Sequence, residues 1–431
     1  MRANRVLVTA MAVLVIALGA RVGYVAATPH YRPQHDDQKF DSLAVHVARS
    51  GAYPDVGGRP TAYRPPGYTY FLAGVYAVSG TGRHRIATAR VAQAVLGTVL
   101  VALIGLMGLR LFGPRAAIAA MAIAAIYPPL VAAGTSLLSE PLAAVLLVGA
   151  IASVVEWRRH PRWQLVALAG VLAGLLTLTR SNGFVAVPGL AAGLWAGRPR
   201  WSRRTLAAPA LLLAITACVV APWTVRNAVV MHAFIPVSDE AGTTLAGTYN
   251  PVSDHDRAAP ASWLLLNDIP SYDAQTRTLA QGPEDRFQAR LVSLALRYER
   301  AHPLYPVKVA SYNTLRLLEL GGSKRSRFTS TLAGVDSRRV ADLSVRAVWA
   351  LAAVALVGAC RPSVRRRVPG FVWLTWGLLF ASIVLVNVET PRFRLLLDPL
   401  LVLLAAGAFV PAADGTRSGP AAAVDHSVAA R

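Results

Sequence analysis

The stretch Ile86–Leu111, IATARVAQAVLGTVLVALIGLMGLRL, decides how the rest of the chain is read, because its 26 residues hold only two charged side chains, Arg90 and Arg110. About 20 apolar residues in a helix cross the roughly 30 Å of hydrocarbon in a bilayer. Working outward, nine further runs meet or approach that length: Val6 to Thr28, Ala116 to Ala133, Glu140 to Val155, Trp163 to Thr179, Phe184 to Ala196, Leu206 to Val225, Leu343 to Cys360, Pro369 to Val388 and Leu395 to Val410. The Phe184 to Ala196 run is short and carries Pro188, so it is the weakest of the ten. The expectation is an all-α, polytopic membrane protein of about ten transmembrane helices.

Composition agrees. The chain of 431 residues is 54% hydrophobic and 15% charged, with a mean hydropathy of +0.44, whereas soluble domains carry about a quarter charged residues. The formal net charge of +22 does not mark a nucleic-acid binder. Its cations punctuate the chain between apolar runs instead of clustering on one groove-facing element with aromatics. Cys218 and Cys360 lie in apolar stretches without partners nearby, which indicates neither a disulfide framework nor a thiolate metal site.

The distribution of arginine sets an orientation. If the N-terminus is cytoplasmic, the short connections on that side hold 15 cations and those on the other side only three, Arg180, Arg392 and Arg394. Both termini are then cytoplasmic. A cleaved signal peptide is the alternative for the first span, but apolar sequence runs on through Ala27. Two long segments, Pro29 to Arg85 and Arg226 to Ala341, fall on the extracytoplasmic face with 15 of the 22 acidic residues. The chain divides accordingly into a transmembrane core (1–225), an exterior loop with amphipathic helices (226–341), C-terminal transmembrane helices (342–411) and an unstructured cytoplasmic tail (412–431). Phe40, Leu43, Ala44 and Val47 form a helical stripe ending at Gly51, and Phe287, Leu291, Leu294 and Tyr298 form another. With the apolar run Pro65 to Ser79, too short to span, they suggest interfacial helices walling a cavity between membrane and solvent. Only three of the 44 cations are lysine, Lys39, Lys308 and Lys324, and with abundant alanine this hints at a GC-rich bacterial genome.

Several exterior residues could carry chemistry. Asp36 and Asp37 open the first exterior helix, where a carboxylate caps the helix, serves as a general base or holds a divalent cation. Arg64 precedes Pro65-Pro66-Gly67, a stiff turn that fixes its direction, and Arg226 follows Pro222-Trp223 at the end of a span. Each could simply snorkel to the interface, but two guanidiniums converging on one cavity would bind a phosphate. Arg180 is a third candidate. Glu140 opens a span in LLSEPL, where a cap and the orientation of a nearby cation are the two readings. Glu389, Arg392 and Arg394 place mixed charge at the mouth of the last hairpin, as anchors or as part of a site. No nucleotide loop, zinc pair or Ser/His/Asp arrangement stands out, and His35, His46, His84, His232, His255 and His302 lack ligand spacing.

Taken together, HDDQKFDSLA (35–44), YRPPGYTYFLAG (63–74), LLSEPL (137–142), LAGLLTLTRSNG (172–183), PWTVRNAVVMHAFIPVS (222–238) with AGTTLAGTYNP (241–251), and ETPRFRLLLDPLL (389–401) resemble, in order, the GT-C superfamily of integral membrane glycosyltransferases. Within it the likeness is to the bacterial group of protein O-mannosyltransferases and the lipid A aminoarabinose transferase. The resemblance implies a polyprenyl-phosphate-sugar donor and transfer to a hydroxyl of a cell-envelope acceptor on the outer face of a bacterial plasma membrane. It also implies that Asp36 or Asp37 is the catalytic carboxylate and that Arg64 and Arg226 contact the lipid phosphate. Glu140, Arg180 and Arg392 are expected to bind substrate. A divalent metal ion is a possible cofactor, but Tyr63 stands where the aminoarabinose transferase has an acidic residue, which leaves the metal without an assigned site. The rival class is a transporter or flippase of lipid-linked sugars. It calls for inverted repeats and broken helices with polar groups at the midplane, and the sequence shows no repeat.

Overall fold

The computed structural model describes residues 2–53, 55–56, 59–195, 203–321, 338–386 and 391–410. Along the first half the helices are α1 (Arg2–Ala27), α2 (Asp36–Ser50), α3 (Pro66–Ser79), α4 (Arg85–Phe112), α5 (Pro114–Ile126), α6 (Pro128–Ala133), α7 (Glu140–Arg159), α8 (Trp163–Thr179), α9 (Val187–Leu194) and α10 (Arg203–Met231). The second half adds α11 (Ala241–Thr248), α12 (Pro251–His255), α13 (Pro270–Thr276), α14 (Glu284–Ala301), α15 (Tyr305–Leu317), α16 (Arg338–Cys360), α17 (Pro362–Arg365), α18 (Gly370–Val386) and α19 (Asp398–Ala408). A two-residue hairpin pairs Asp55–Val56 with Arg59–Pro60. Five helices, α1, α4, α7, α10 and α16, are long and apolar enough to cross a membrane, and the other predicted spans are shorter apolar helices.

Three predicted spans are broken. The run Ala116 to Ala133 divides at Tyr127, whose extended backbone follows from the Pro128 ring behind it, which disfavours the helical region in the preceding residue. The run Phe184 to Ala196 begins as a 3-10 turn, Ser181–Ala186, before α9. The run Leu395 to Val410 likewise begins as a 3-10 turn, Pro391–Leu396, and is α-helical only from Asp398, with Pro399 in its first turn. The ends of the sixth and ninth predicted spans, Glu389 and the tail lie outside the described residues.

The core is the seam where α7 packs on α4 and α8, and α8 on α10, with α16 against α19. Leu100, Ile104, Leu147, Ile151, Val402 and Leu403 are buried in one continuous apolar cluster. Close approach of α9 to α18 depends on Gly189, where a Cβ would lie 2.1 Å from Thr375 Oγ1.

The two long inter-span segments meet at one end of the bundle. The predicted stripe of α2 turns Phe40, Ala44 and Val47 onto Tyr68, Leu72 and Tyr76 of α3. The helix ends at Gly51, which takes the left-handed conformation (φ 72°) that its missing Cβ allows. In the second segment Leu291 and Leu294 of α14 pack on Ala246, Ile269 and Tyr272. The segments are stitched together where Thr61 Oγ1 donates to Glu284 (2.7 Å) and Tyr63 pairs with Thr243 (2.9 Å).

Candidate functional site

A cavity of about 890 Å³ opens where these segments meet the ends of the spans. Asp36, at the start of α2, faces into it. The preceding His35 has φ 56°, a conformation uncommon outside glycine that turns the chain sharply. Asp37, its neighbour, turns the other way. Its carboxylate accepts hydrogen bonds from Tyr31 Oη (2.5 Å), the Gln34 amide (2.7 Å) and the Gln38 amide (3.2 Å). Tyr31 in turn lies beneath the Arg90 guanidinium and accepts from the Leu137 amide. Asp37 therefore fixes where α2 begins, and burial pushes its proton affinity up against the opposing hydrogen bonds. Of the two aspartates expected at the site, only Asp36 lines the cavity.

Asp36 sits between two guanidiniums brought from distant parts of the chain. Oδ1 is 2.5 Å from Arg64 Nη2, and Oδ2 pairs with Arg392 Nη2. Burial would raise its proton affinity, but the charges of Arg392 and Arg64 outweigh it and hold the carboxyl well below the usual range. Arg64 is aimed by the Pro65-Pro66 turn and is also paired with Glu240 Oε2 at 3.1 Å. Arg392 stands on the 3-10 turn, its Nε 3.2 Å from Glu140 Oε1. Glu140 is 1% exposed and pairs through the same oxygen with Arg180 at 2.9 Å. The sequence of charges reads Glu240, Arg64, Asp36, Arg392, Glu140, Arg180, with signs alternating throughout.

Glu240, like Lys39, is a charged cavity residue that sequence reasoning missed. Its only signal was an acidic pair, Asp239-Glu240, just before AGTT, and nothing local distinguishes it from a surface helix start. Burial raises its proton affinity, with the Arg64 and Arg180 charges opposing. Asp239 lies beside Glu284. Burial first, and then the charge of Glu284, push it up to about 7.

Arg226 does not line the cavity, contrary to expectation. Its guanidinium lies over Trp223 and Tyr53, and its Nη1 donates to the Thr61 carbonyl (2.8 Å) and to Asn227 (3.1 Å). Trp223 Nε1 donates to Val237 O and Asn227 Nδ2 to Ile235 O. The Trp-Thr-Val-Arg-Asn run is thus a brace that holds both the segment leading to Arg64 and the segment leading to Glu240. Arg394, expected at the hairpin mouth, is 5% exposed and packed inward, donating to Asp398 (3.1 Å) and the Leu317 carbonyl (2.5 Å). It pins the turn from which Arg392 projects.

Phe184 and Val185 of the Ser181–Ala186 turn and Ile383 and Val386 of α18 add apolar lining. The cavity therefore combines paired charges with apolar lining. No three His, Cys, Asp or Glu side chains converge as a metal cage among the described residues. Each cavity carboxylate already faces a guanidinium, so the donor set does not fit a resident divalent cation.

Residues 63–225 match the family of dolichyl-phosphate-mannose-protein mannosyltransferases. Among solved structures, the chain overlays on the oligosaccharyltransferase of Archaeoglobus fulgidus in its apo form with a TM-score of 0.55 and 14% identity, covering 94% of this chain and 50% of that one. The same organism's AglB, in complex with an inhibitory peptide and a dolichol-phosphate, gives 0.52 and 13% over 94% and 50%. ArnT from Cupriavidus metallidurans bound to undecaprenyl phosphate gives 0.44 and 16% over 94% and 76%, a likeness too distant to weigh. Such identities speak for fold alone, and the chain spans about half the length of the oligosaccharyltransferases. No curated protein sequence matches it.

Proposed function

From the GT-C fold of integral membrane glycosyltransferases, which this chain shares, we propose that it moves a sugar from a polyprenyl-phosphate-linked donor to a hydroxyl of a cell-envelope acceptor. The observation that carries this is Asp36 flanked by Arg64 and Arg392 in a cavity with apolar lining. The arginines hold the donor phosphate, and the polyprenyl tail lies along the apolar part of the lining. The acceptor oxygen attacks the anomeric carbon as the bond from that carbon to the phosphate oxygen breaks. Asp36 takes the acceptor's proton, help worth about 10²- to 10⁴-fold in rate. The guanidiniums stabilise the charge that accumulates on the leaving phosphate. Arg64 and Arg392 take the phosphate role, with Arg226 bracing the segment that leads to Arg64 and Arg394 pinning the turn that carries Arg392. The charge pattern of the connections supports cytoplasmic termini and a cavity on the outer face, and the excess of arginine over lysine with abundant alanine supports a bacterial plasma membrane.

The rival carrier gains one observation, the three broken spans. The cavity charges, however, gather at span ends, and they include the base and anion-binding groups that transfer needs. The two readings part in one experiment. Purified protein in proteoliposomes receives polyprenyl-phospho-sugars labelled in the sugar, together with envelope extract as acceptor. Label leaving the lipid for the acceptor, and failing to do so with Asp36→Asn, is the expected result. Label that crosses the bilayer still attached to its lipid would make the protein a carrier.

A further inference from the structure

The site as it stands is full. Three guanidiniums, of Arg64, Arg180 and Arg392, face three carboxylates, of Asp36, Glu140 and Glu240, and Lys39 is a fourth cation on the lining, so an arriving phosphate finds every one of these guanidiniums already paired. One carboxylate has to yield, and the geometry singles out which. Among the described residues, Asp36 alone is seen to bridge Arg64 and Arg392, with one oxygen on each. Arg64 has a second carboxylate behind it, Glu240, and Arg392 has Glu140, so both guanidiniums stay aimed when Asp36 leaves. The helix that carries Asp36 does not depend on it either. Asp37 holds the start of α2, and Asp41 further along accepts from Tyr76 Oη (2.7 Å) and Arg85 Nη2 (2.8 Å).

We propose that Asp36 is a placeholder whose carboxylate occupies the donor phosphate's seat between Arg64 and Arg392, and that donor binding exchanges one anion for the other. This rests on the donor assignment above. Two phosphate oxygens present the same fork to the two guanidiniums that the two carboxylate oxygens present now. The exchange also changes what Asp36 can do. While clamped, it is a poor proton acceptor, because both guanidiniums favour its charged form. Once displaced, it keeps the burial that raises its proton affinity and loses the ion pairs that lowered it, while remaining beside the sugar it has just admitted. The base thus comes into play only when a donor is seated. In the step that follows, the acceptor O–H proton passes to Asp36 and the acceptor oxygen bonds to the anomeric carbon. The electron pair of the broken bond leaves with the polyprenyl phosphate, which stays between the arginines until it departs.

The test is binding of undecaprenyl phosphate to the full chain in nanodiscs, by wild type, Asp36→Asn and Glu240→Gln. Neutralising the placeholder is expected to tighten binding by about tenfold in Asp36→Asn, each factor of ten being about 1.4 kcal/mol. Glu240→Gln removes the same charge from the same arginine but leaves the seat filled, and is expected to shift affinity by less than about threefold. Equal tightening in the two variants, or none in Asp36→Asn, overturns the exchange while leaving the donor assignment in place. Absence of binding in all three removes the donor assignment and the exchange with it. A readout on wild type alone covers failure of the variants to fold: adding undecaprenyl phosphate should produce a carboxylate band shift in the infrared difference spectrum. An unchanged carboxylate region overturns the proposal.

Discussion

Replacing Glu140 by Gln tests whether the charge ladder is a structural element as well as a binding surface. Glu140 Oε1 stands 2.9 Å from Arg180 Nη1 and 3.2 Å from Arg392 Nε, with its side chain only 2% exposed and the arginines 17% and 13%. At an effective dielectric of about 20, each such pair is worth about 4 kcal/mol of gross attraction at 4 Å. Desolvation of the ions cancels much of that in the intact protein, but removing one partner leaves the others buried and uncompensated, at a cost of about 3–5 kcal/mol. The lower end applies here, because Arg392 keeps Asp36 and Arg180 keeps the Ser139 hydroxyl at 3.1 Å. A loss of about 3 kcal/mol should lower the thermal midpoint of the detergent-purified protein by roughly 5 °C or more. The comparison is Glu156→Gln, whose partner Arg110 is 34% exposed and which is itself 27% exposed. A pair of that kind contributes at most about 1 kcal/mol. Unfolding followed by tryptophan fluorescence should therefore separate the two variants clearly. Midpoints within a degree of each other would refute the claim that the ladder is buried and interdependent.

Arg392→Ala should raise the KM for the polyprenyl donor by about ten- to a hundredfold, the worth of a hydrogen bond to a charged group, whereas Arg226→Ala should leave that KM within a few-fold and lower the thermal midpoint instead. An equal KM effect from both would return Arg226 to the phosphate site. Asp239, with its affinity pushed up to about 7, binds a proton more tightly folded than unfolded. It therefore adds stability that is complete below the ordinary carboxylate range and is lost as pH rises toward 7. Asp239→Asn should flatten the fall in thermal midpoint between pH 5 and pH 8, and a slope identical to wild type would show the group to be silent. Gly189→Ala places a Cβ 2.1 Å from Thr375 Oγ1 and 2.9 Å from its Cα, an overpacking worth about 1–3 kcal/mol. Gly74→Ala, with open space at its Cβ, should be neutral or mildly stabilising. Matching midpoints for the two would mean that α9 and α18 do not approach as drawn.

Most of the helices were legible because the signals that specify them are local. The charge-poor run Ile86–Leu111, the stripe Phe40, Ala44, Val47 and the stop at Gly51 each follow from spacing or from one residue's backbone freedom. The breaks were less visible, although Tyr127-Pro128 carries its own steric reason. Within the site, Arg64 and Glu140 were legible as charges placed at stiff turns and span ends. Which of Asp36 and Asp37 faces the cavity was not, since adjacent residues on a helix start differ only by the rotation that Tyr31, Gln34 and Gln38 impose. Arg226 misled for the opposite reason: a guanidinium at a span end looks the same in sequence whether it meets a phosphate or a backbone carbonyl.

Sequence alone determined that this chain spans a membrane many times as helices, because apolar length and charge spacing report directly on the solvent each segment needs. It also set out the acidic and basic residues from which a phosphate-handling site could be built. Tertiary structure alone decided the pairing: Asp36 and Arg392, 356 positions apart, became partners, Glu240 joined Arg64, and Arg226 was sent to brace the wall. Pairing of that kind depends on distances between segments, and those are set by how whole helices pack against one another.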